Sequence, residues 1–183
     1  MEKFVTGFLV FYAIERLLET FWKRTKVPGK ILERCTLPLL VSVHASIYMA
    51  TIGSWIAGKQ QVSTWMTVTG TTMVLISIIG RNWAIRSLGP YHSIHVEIRD
   101  AHPLIQSGPY QFVRNPYYLT NLVEIVGLPL LVGSVFGLLV AVCLYVPLLV
   151  VRLVIEENAL GEKLGDLFAA YKKQVPRIIP KLF

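Results

Sequence analysis

The chain has 183 residues, of which 54% are hydrophobic and only 16% charged. A soluble domain carries about 25% charged residues, so this composition, with a mean hydropathy of +0.54, excludes an ordinary soluble domain and a disordered chain and fits a surface that faces lipid. The net charge of +7 fits an anionic membrane surface and not nucleic acid, because no basic stripe lies on a soluble scaffold.

A helix crosses the hydrocarbon core with about 20 residues, and five stretches approach that length. The first, 4–22 (FVTGFLVFYAIERLLETFW), lacks the basic leader and the small-residue cleavage site of a signal peptide, so it reads as a retained span. Next come 37–57, 65–85, 117–132 and 134–155. The last two are joined through Gly133 with no charge between them and read as a helical hairpin. The connection between spans one and two holds Lys23, Arg24, Lys26, Lys30 and Arg34 against Glu33, while the next holds only Lys59. Arg81, Arg86, Arg99 and Arg114 follow span three, and Lys163, Lys172, Lys173, Arg177 and Lys181 follow span five. The positive-inside rule then places the N-terminus outside and the C-terminus in the cytoplasm. Cys35 and Cys143 lie far apart, in or beside apolar runs, and are expected to be buried thiols with no disulfide framework.

Two segments are not spans. The loop 89–115 is dense in His, Pro, Gly and Arg. The segment 156–171 reads as an amphipathic helix, with Leu160, Leu164, Leu167, Phe168 and Tyr171 on one face, ended at Val175-Pro176. Both fall on the cytoplasmic side. Within the loop, Gly108-Pro109 makes a turn. Pro116 suits the first turn of span four, where its missing N–H needs no partner. Arg114 and Asn115 therefore stand at a helix N-terminus, which attracts a carboxylate or another anion; an ordinary loop meeting lipid phosphate is the simpler alternative. Glu156 and Glu157, adjacent and so about 100° apart on a helix, can pair with Arg152 or hold a cationic or hydroxylated ligand. Ionisable residues inside spans are functional candidates by default. Glu124, with Asn121 beside it in span four, is the best of them, ahead of His44 and of the Glu15, Arg16 and Glu19 group. His92, His95 and His102 lack metal-ligand spacing, so no metal is expected. No HExxH, GxSxG, P-loop or Rossmann unit is present.

RNWAIRSLG (81–89), LIQSGPYQFVRNPYYL (104–119) and EENALGEKLGDLFAAYKKQVPRIIP (156–180) together resemble the isoprenylcysteine carboxyl methyltransferase family, which includes phospholipid methyltransferase relatives. Its usual pattern is LVxxGxYxxxRHPxY, a helical hairpin, then EExxLxxxFGxxYxxYxxxVPxxxP. The opening string looks closest to a bacterial branch that methylates long-chain polyketides. Asn115 stands where the family has His, and Gln174 where a basic residue precedes VP in the isoprenylcysteine enzymes of animals.

The resemblance implies one all-α, polytopic membrane domain over 1–183, with a catalytic core over about 81–180. About five transmembrane helices, a cytoplasmic loop and a C-terminal amphipathic helix would close a pocket for S-adenosyl-L-methionine. Carried over, the cofactor-binding residues are His102, Pro103, Leu104, Gly108, Tyr110, Val113, Asn115, Pro116, Tyr118, Glu156 and Glu157. The expected activity is methyl transfer to a carboxylate, phenol or enol oxygen of a lipophilic acceptor drawn from the bilayer. Arg114 is the candidate to orient a carboxylate, and Glu124 or His95 to act as base. The rival is a non-catalytic membrane scaffold or lipid-binding subunit, which needs no ordered loop motif.

Overall fold

The computed structural model of the protein describes residues 1–21, 25, 27–58, 62–99 and 103–180, and of residues 20 and 21 only the backbone. Each apolar stretch forms helix. α1 spans Glu2–Phe21, α2 Thr36–Ile56, α3 Thr64–Leu88 and α4 Pro116–Leu131. α5 (Val135–Val140), a π-turn (Ala141–Tyr145) and α6 (Val146–Leu164) run on as one helix. Thr36–Ile56 and Val135–Leu164 are long and apolar enough, by length and composition, to cross a membrane. Elsewhere too large apolar side chains point outward: Phe11, Ile14 and Leu18 on α1, and Val68, Ile76 and Ile79 on α3, are exposed, as on a surface that meets lipid.

α3 and α4 pack antiparallel at close range, and the reason is written in small residues. Thr67, Gly70, Val74, Ser77, Arg81 and Ala84 recur every three or four positions and are all buried, which keeps one face of α3 on its neighbour. A Cβ at Gly70 would stand 2.4 Å from the Leu131 nitrogen and 2.6 Å from the Gly127 carbonyl oxygen. Close backbone approach of this kind is how helices associate where lipid removes the hydrophobic drive. Gly70→Ala is therefore expected to cost about 1–3 kcal/mol by overpacking, seen as a lower melting temperature in detergent, whereas Gly53→Ala, with nothing within 4 Å, should melt like the parent.

The α4–α5 turn is tight because Gly133 adopts a φ of +66°. The Ser134 N–H donates to the Pro129 carbonyl at 2.8 Å, and the Ser134 hydroxyl accepts from the Gly137 N–H at 3.1 Å, capping α5. The π-turn follows from Pro147, which has no N–H to give to the carbonyl four residues back. The widened turn ends on Tyr145, and π-turns of this kind gather at functional sites.

Four expectations need correction. The fold is not purely helical: β1 (Lys30–Glu33) pairs antiparallel with β2 (Val96–Ile98), on the side of the molecule where loop 89–115 leaves α3. Arg99 Nε donates to the Val27 carbonyl at 2.7 Å and the Gly29 N–H donates to Glu97 at 2.5 Å, which tie the ribbon's two arms. The amphipathic segment does not begin at Glu156. α6 continues unbroken through Leu164, Gly165 turns with a φ of +53°, and a short α7 (Asp166–Gln174) folds back. Arg81 is not a loop charge, because α3 carries on past it to Leu88. Both cysteines are exposed and not buried, since Cys35 precedes the first turn of α2 and Cys143 stands on the outer side of the π-turn.

Candidate functional site

A cavity of about 710 Å³ runs between α1, α2, residues 91–99 and 103–105, α4, α6 and α7. One end is polar. There Arg152, 3% exposed, donates from Nε to the Tyr118 hydroxyl at 3.0 Å, from Nη1 to Thr36 Oγ1 at 3.1 Å and from Nη2 to the Ile94 carbonyl. One guanidinium thus ties α6 to α4, to the start of α2 and to the loop before β2. The Tyr118 hydroxyl in turn donates to Glu156 Oε2 at 2.5 Å. The other Glu156 oxygen takes no hydrogen bond from a described residue, and Glu156 lines the cavity.

Glu157 behaves differently, as the 100° step between neighbours requires. Its Oε1 accepts from Arg114 Nε at 2.9 Å and from Asn115 Nδ2 at 3.0 Å. Its Oε2 accepts from Arg114 Nη2 at 3.3 Å and Arg177 Nε at 2.9 Å. The carboxylate is 1% exposed as a residue and saturated by protein donors. Arg114 Nη1 also donates to the Val175 carbonyl at 2.6 Å and to that of Lys172 at 3.1 Å. The backbone N–H groups of Arg114 and Asn115 donate to the carbonyls of Pro176 and Arg177 at 2.9 and 3.2 Å. Arg114, Asn115 and Glu157 therefore form a clasp that holds the C-terminal strap across the start of α4. The N–H groups of Arg114 and Asn115, just before the helix, thus meet the chain's own carbonyls.

The loop supplies the rest of the polar end. Tyr110 is buried, and its carbonyl accepts from the Tyr171 hydroxyl at 2.5 Å. Burial, with the nearby Glu156 charge second, pushes the Tyr110 hydroxyl far above the ordinary phenol range. Burial also pushes Tyr171 up to about 12. Both remain protonated donors at neutral pH. His95 lines the cavity, and its buried Nδ1 has no hydrogen-bond partner among the described residues.

Deeper in the bundle lies a second polar cluster. Glu124 and Arg81 are both 0% exposed and paired. Arg81 also meets Glu15 at 3.0 Å and Glu19 at 2.7 Å. Glu124 accepts from the hydroxyls of Tyr12 and Tyr48, the latter at 2.8 Å, with Arg16 Nε at 3.7 Å. His44 Nε2 lies 2.7 Å from the Tyr48 hydroxyl.

Of the residues expected in the site, Pro103, Leu104, Tyr110, Arg114, Asn115, Tyr118, Glu156, Glu157 and His95 line one cavity. Gly108, Val113, Pro116 and Glu124 do not. Gly108, at a φ of +63°, backs onto α3 so closely that a Cβ would meet Ser87 Oγ at 2.2 Å; Val113 and Pro116 are buried behind the wall; Glu124 is committed to its own cluster. His102 lies outside the described residues. Sequence reasoning missed Arg81 as a bundle residue, although a cation inside an apolar run carried the same signal as Glu124. It also missed Tyr12, Tyr48 and Tyr145, whose types give no such signal.

Residues 69–162 match the sequence profile of the isoprenylcysteine carboxyl methyltransferase (ICMT) family. The chain is 30% identical over 130 residues to the uncharacterized protein YpbQ of Bacillus subtilis (strain 168), covering 68% of this chain and 74% of that one. It is 27% identical over 146 residues to protein-S-isoprenylcysteine O-methyltransferase B of Arabidopsis thaliana, covering 79% and 72%. A solved structure of the eukaryotic intramembrane Ras methyltransferase ICMT superposes with a TM-score of 0.62 at 20% identity. That superposition covers 82% of this chain but only 55% of the solved one, so the chain spans about half of that protein's length. On the profile match, which takes in half of its length, the chain belongs to the ICMT family of membrane methyltransferases.

Proposed function

We propose that the protein is an S-adenosylmethionine-dependent O-methyltransferase acting on a lipophilic acceptor that enters from the bilayer. One observation carries this reading. A single cavity joins a carboxylate with an open oxygen, Glu156, to an apolar flank formed by Leu9 and Leu17 of α1 and Val41 and Ile52 of α2, of which Leu17, Val41 and Ile52 are also exposed on the outer surface. A scaffold protein gains nothing from a half-satisfied carboxylate beside buried tyrosines.

The polar end suits the cofactor chemically. Glu156 would hold its ammonium, Arg152 lines the same end for its carboxylate, and Leu104, Tyr110, Leu160 and Phe168 offer surface for its base. When bound, S-adenosylmethionine supplies a methyl on a sulfonium leaving group. The chain's own share is positioning and exclusion of water. Arg152 orients Tyr118, and Tyr118 orients Glu156. The Arg114–Glu157–Asn115 clasp holds the C-terminal strap as a cover, and His95 lines the same space. Arg114 then acts as a positioning residue. The whole chain acts as one domain with its catalytic part over about 81–180. It sits with five spans, the N-terminus outside and the cavity's polar end on the cytoplasmic side. An isoprenylcysteine or a long-chain polyketide is the acceptor.

The test is transfer of a tritiated methyl group on membranes bearing the protein, with farnesylcysteine and a long-chain alkylresorcinol side by side. Label in the lipid extract above that of empty membranes is the expected result. No label in either acceptor or in the membranes' own lipids would remove the reading.

A further inference from the structure

The charge of the C-terminal segment is one-sided. From 167 to 183 the chain holds Lys172, Lys173, Arg177 and Lys181 and no Asp or Glu; Lys181 lies outside the described residues. Phe168 and Tyr171 turn inward and are buried. Lys173 stands about half a turn round α7 from them and is exposed, as is Lys172. The Lys172 ammonium lies 5.0 Å from the centre of the Phe168 ring, and Phe168 lines the cavity. These cations therefore ride on the cover of the cavity. The same segment reaches the apolar belt of the bundle. The carbonyls of Pro176 and Arg177 are held by the residues that open α4. Ile178 packs on the core cluster that contains Tyr118, Leu149 and Leu153, and the next residue, Ile179, is 79% exposed. On the same stretch of α6, Val150 and Val151 are exposed as well. Arg177 gives Nε and Nη2 to Glu157, yet its side chain stays 47% exposed.

We propose that the outer face of the strap, Lys172, Lys173 and Arg177 with Ile179, docks on acidic phospholipid headgroups, and that this contact holds the cover closed. Two features choose a lipid surface over an acidic protein. The first is the level of the strap in the bundle. Its tip lies beside exposed valines of a helix apolar enough to cross a membrane, so Ile179 meets acyl chains there, and basic residues flanking such an apolar contact are the pattern of a segment bound at the membrane surface. Long Lys and Arg stems can rest on the apolar boundary while their charged ends reach the headgroups. The second is charge. An acidic leaflet favours each nearby Lys or Arg by about fivefold, and with no Asp or Glu after 166 nothing in the segment offsets that attraction. Coupling follows from the clasp. A strap gripped by Glu157 from within and by headgroups from outside opens less often than one gripped from within alone. The proposal rests on the methyltransferase reading only in saying what the cover encloses.

The test is amide exchange of the full-length protein in two kinds of lipid nanodisc, one of phosphatidylcholine and one of equal parts phosphatidylcholine and phosphatidylglycerol. Exchange over 172–180 is expected to be about tenfold slower in the acidic discs, while α3 exchanges equally in both. The slowing should shrink with added salt, because the cations are exposed. Lys173→Glu changes the charge of the face by two without touching the clasp, and should reduce the slowing to about threefold or less. Equal exchange in the two discs, or a slowing that Lys173→Glu leaves whole, would overturn the proposal. So would a hexaglutamate peptide that protects 172–180 in neutral discs as well as the acidic lipid does, which would assign the face to an acidic protein. S-adenosylhomocysteine titrated into both discs should bind about fivefold tighter in the acidic ones; equal binding would break the link between docking and the cavity. If it binds in neither, the methyltransferase reading fails and exchange still decides the docking. If it binds and exchange is equal, the docking fails alone.

Discussion

Arg81→Met is expected to prevent the protein from accumulating in folded form, while Glu124→Gln yields protein that melts near the parent. Arg81 is the one cation in contact with all three carboxylates of the inner cluster among the described residues. Removing it leaves Glu19 and Glu124 to Arg16 among the described residues. Breaking a buried ion pair from one side costs about 3–5 kcal/mol, a large share of the 5–15 kcal/mol that holds a domain together. Glu124→Gln keeps the shape, leaves Arg81 paired to Glu15 and Glu19, and still offers the Tyr12 and Tyr48 hydroxyls an acceptor; its cost should stay below about 2 kcal/mol. Fluorescence-detected size exclusion and thermal melting of both variants check this. An Arg81→Met protein that elutes and melts like the parent would show that the cluster does not brace α1 against α3 and α4.

Glu157→Gln is the second large effect, and it acts at a distance from any ligand contact. The carboxylate accepts from two guanidiniums and the Asn115 amide. An amide there has one acceptor oxygen and turns its NH2 toward donors. Arg114, 9% exposed at the side chain, would lose its charge partner at a cost of about 3–5 kcal/mol, offset in part because Arg177 can turn to water. The expected result is release of the C-terminal strap: faster amide exchange over 172–180 and at least tenfold weaker S-adenosylhomocysteine binding. Arg114→Lys should reproduce both, because a lysine keeps the charge but not the fork that meets Glu157 and two carbonyls together. Unchanged exchange over 172–180 in both variants would show that the strap is held by Val175 and Tyr171 packing instead.

The helices were legible because the apolar stretches that make them are long and unbroken, and Gly133 announced its turn. The divergence of Glu156 and Glu157 followed from helical geometry alone. What stayed hidden depends on partners far along the chain. The β1–β2 ribbon pairs 30–33 with 96–98, and three or four residues carry no alternation long enough to see. The length of α6 was hidden by its own charges, since Glu156 to Lys163 read as the start of something new although no breaker precedes Gly165. Arg81 was counted among loop charges because an arginine near the end of an apolar run looks the same whether it reaches water or a buried Glu124. Tyr145 gave no signal, as its place in the bundle depends on a π-turn set by Pro147.

The central claim is that the cavity's polar end binds the methyl donor through Glu156. Calorimetric titration of S-adenosylhomocysteine into the purified protein tests it most directly. Glu156 is the carboxylate with an oxygen left open, whereas Glu157 is saturated, so the account predicts saturable one-to-one binding that weakens at least tenfold, about 1.4 kcal/mol, in Glu156→Gln while the melting temperature without ligand stays near that of the parent. No binding by the parent protein, or equal affinity in Glu156→Gln, would contradict it.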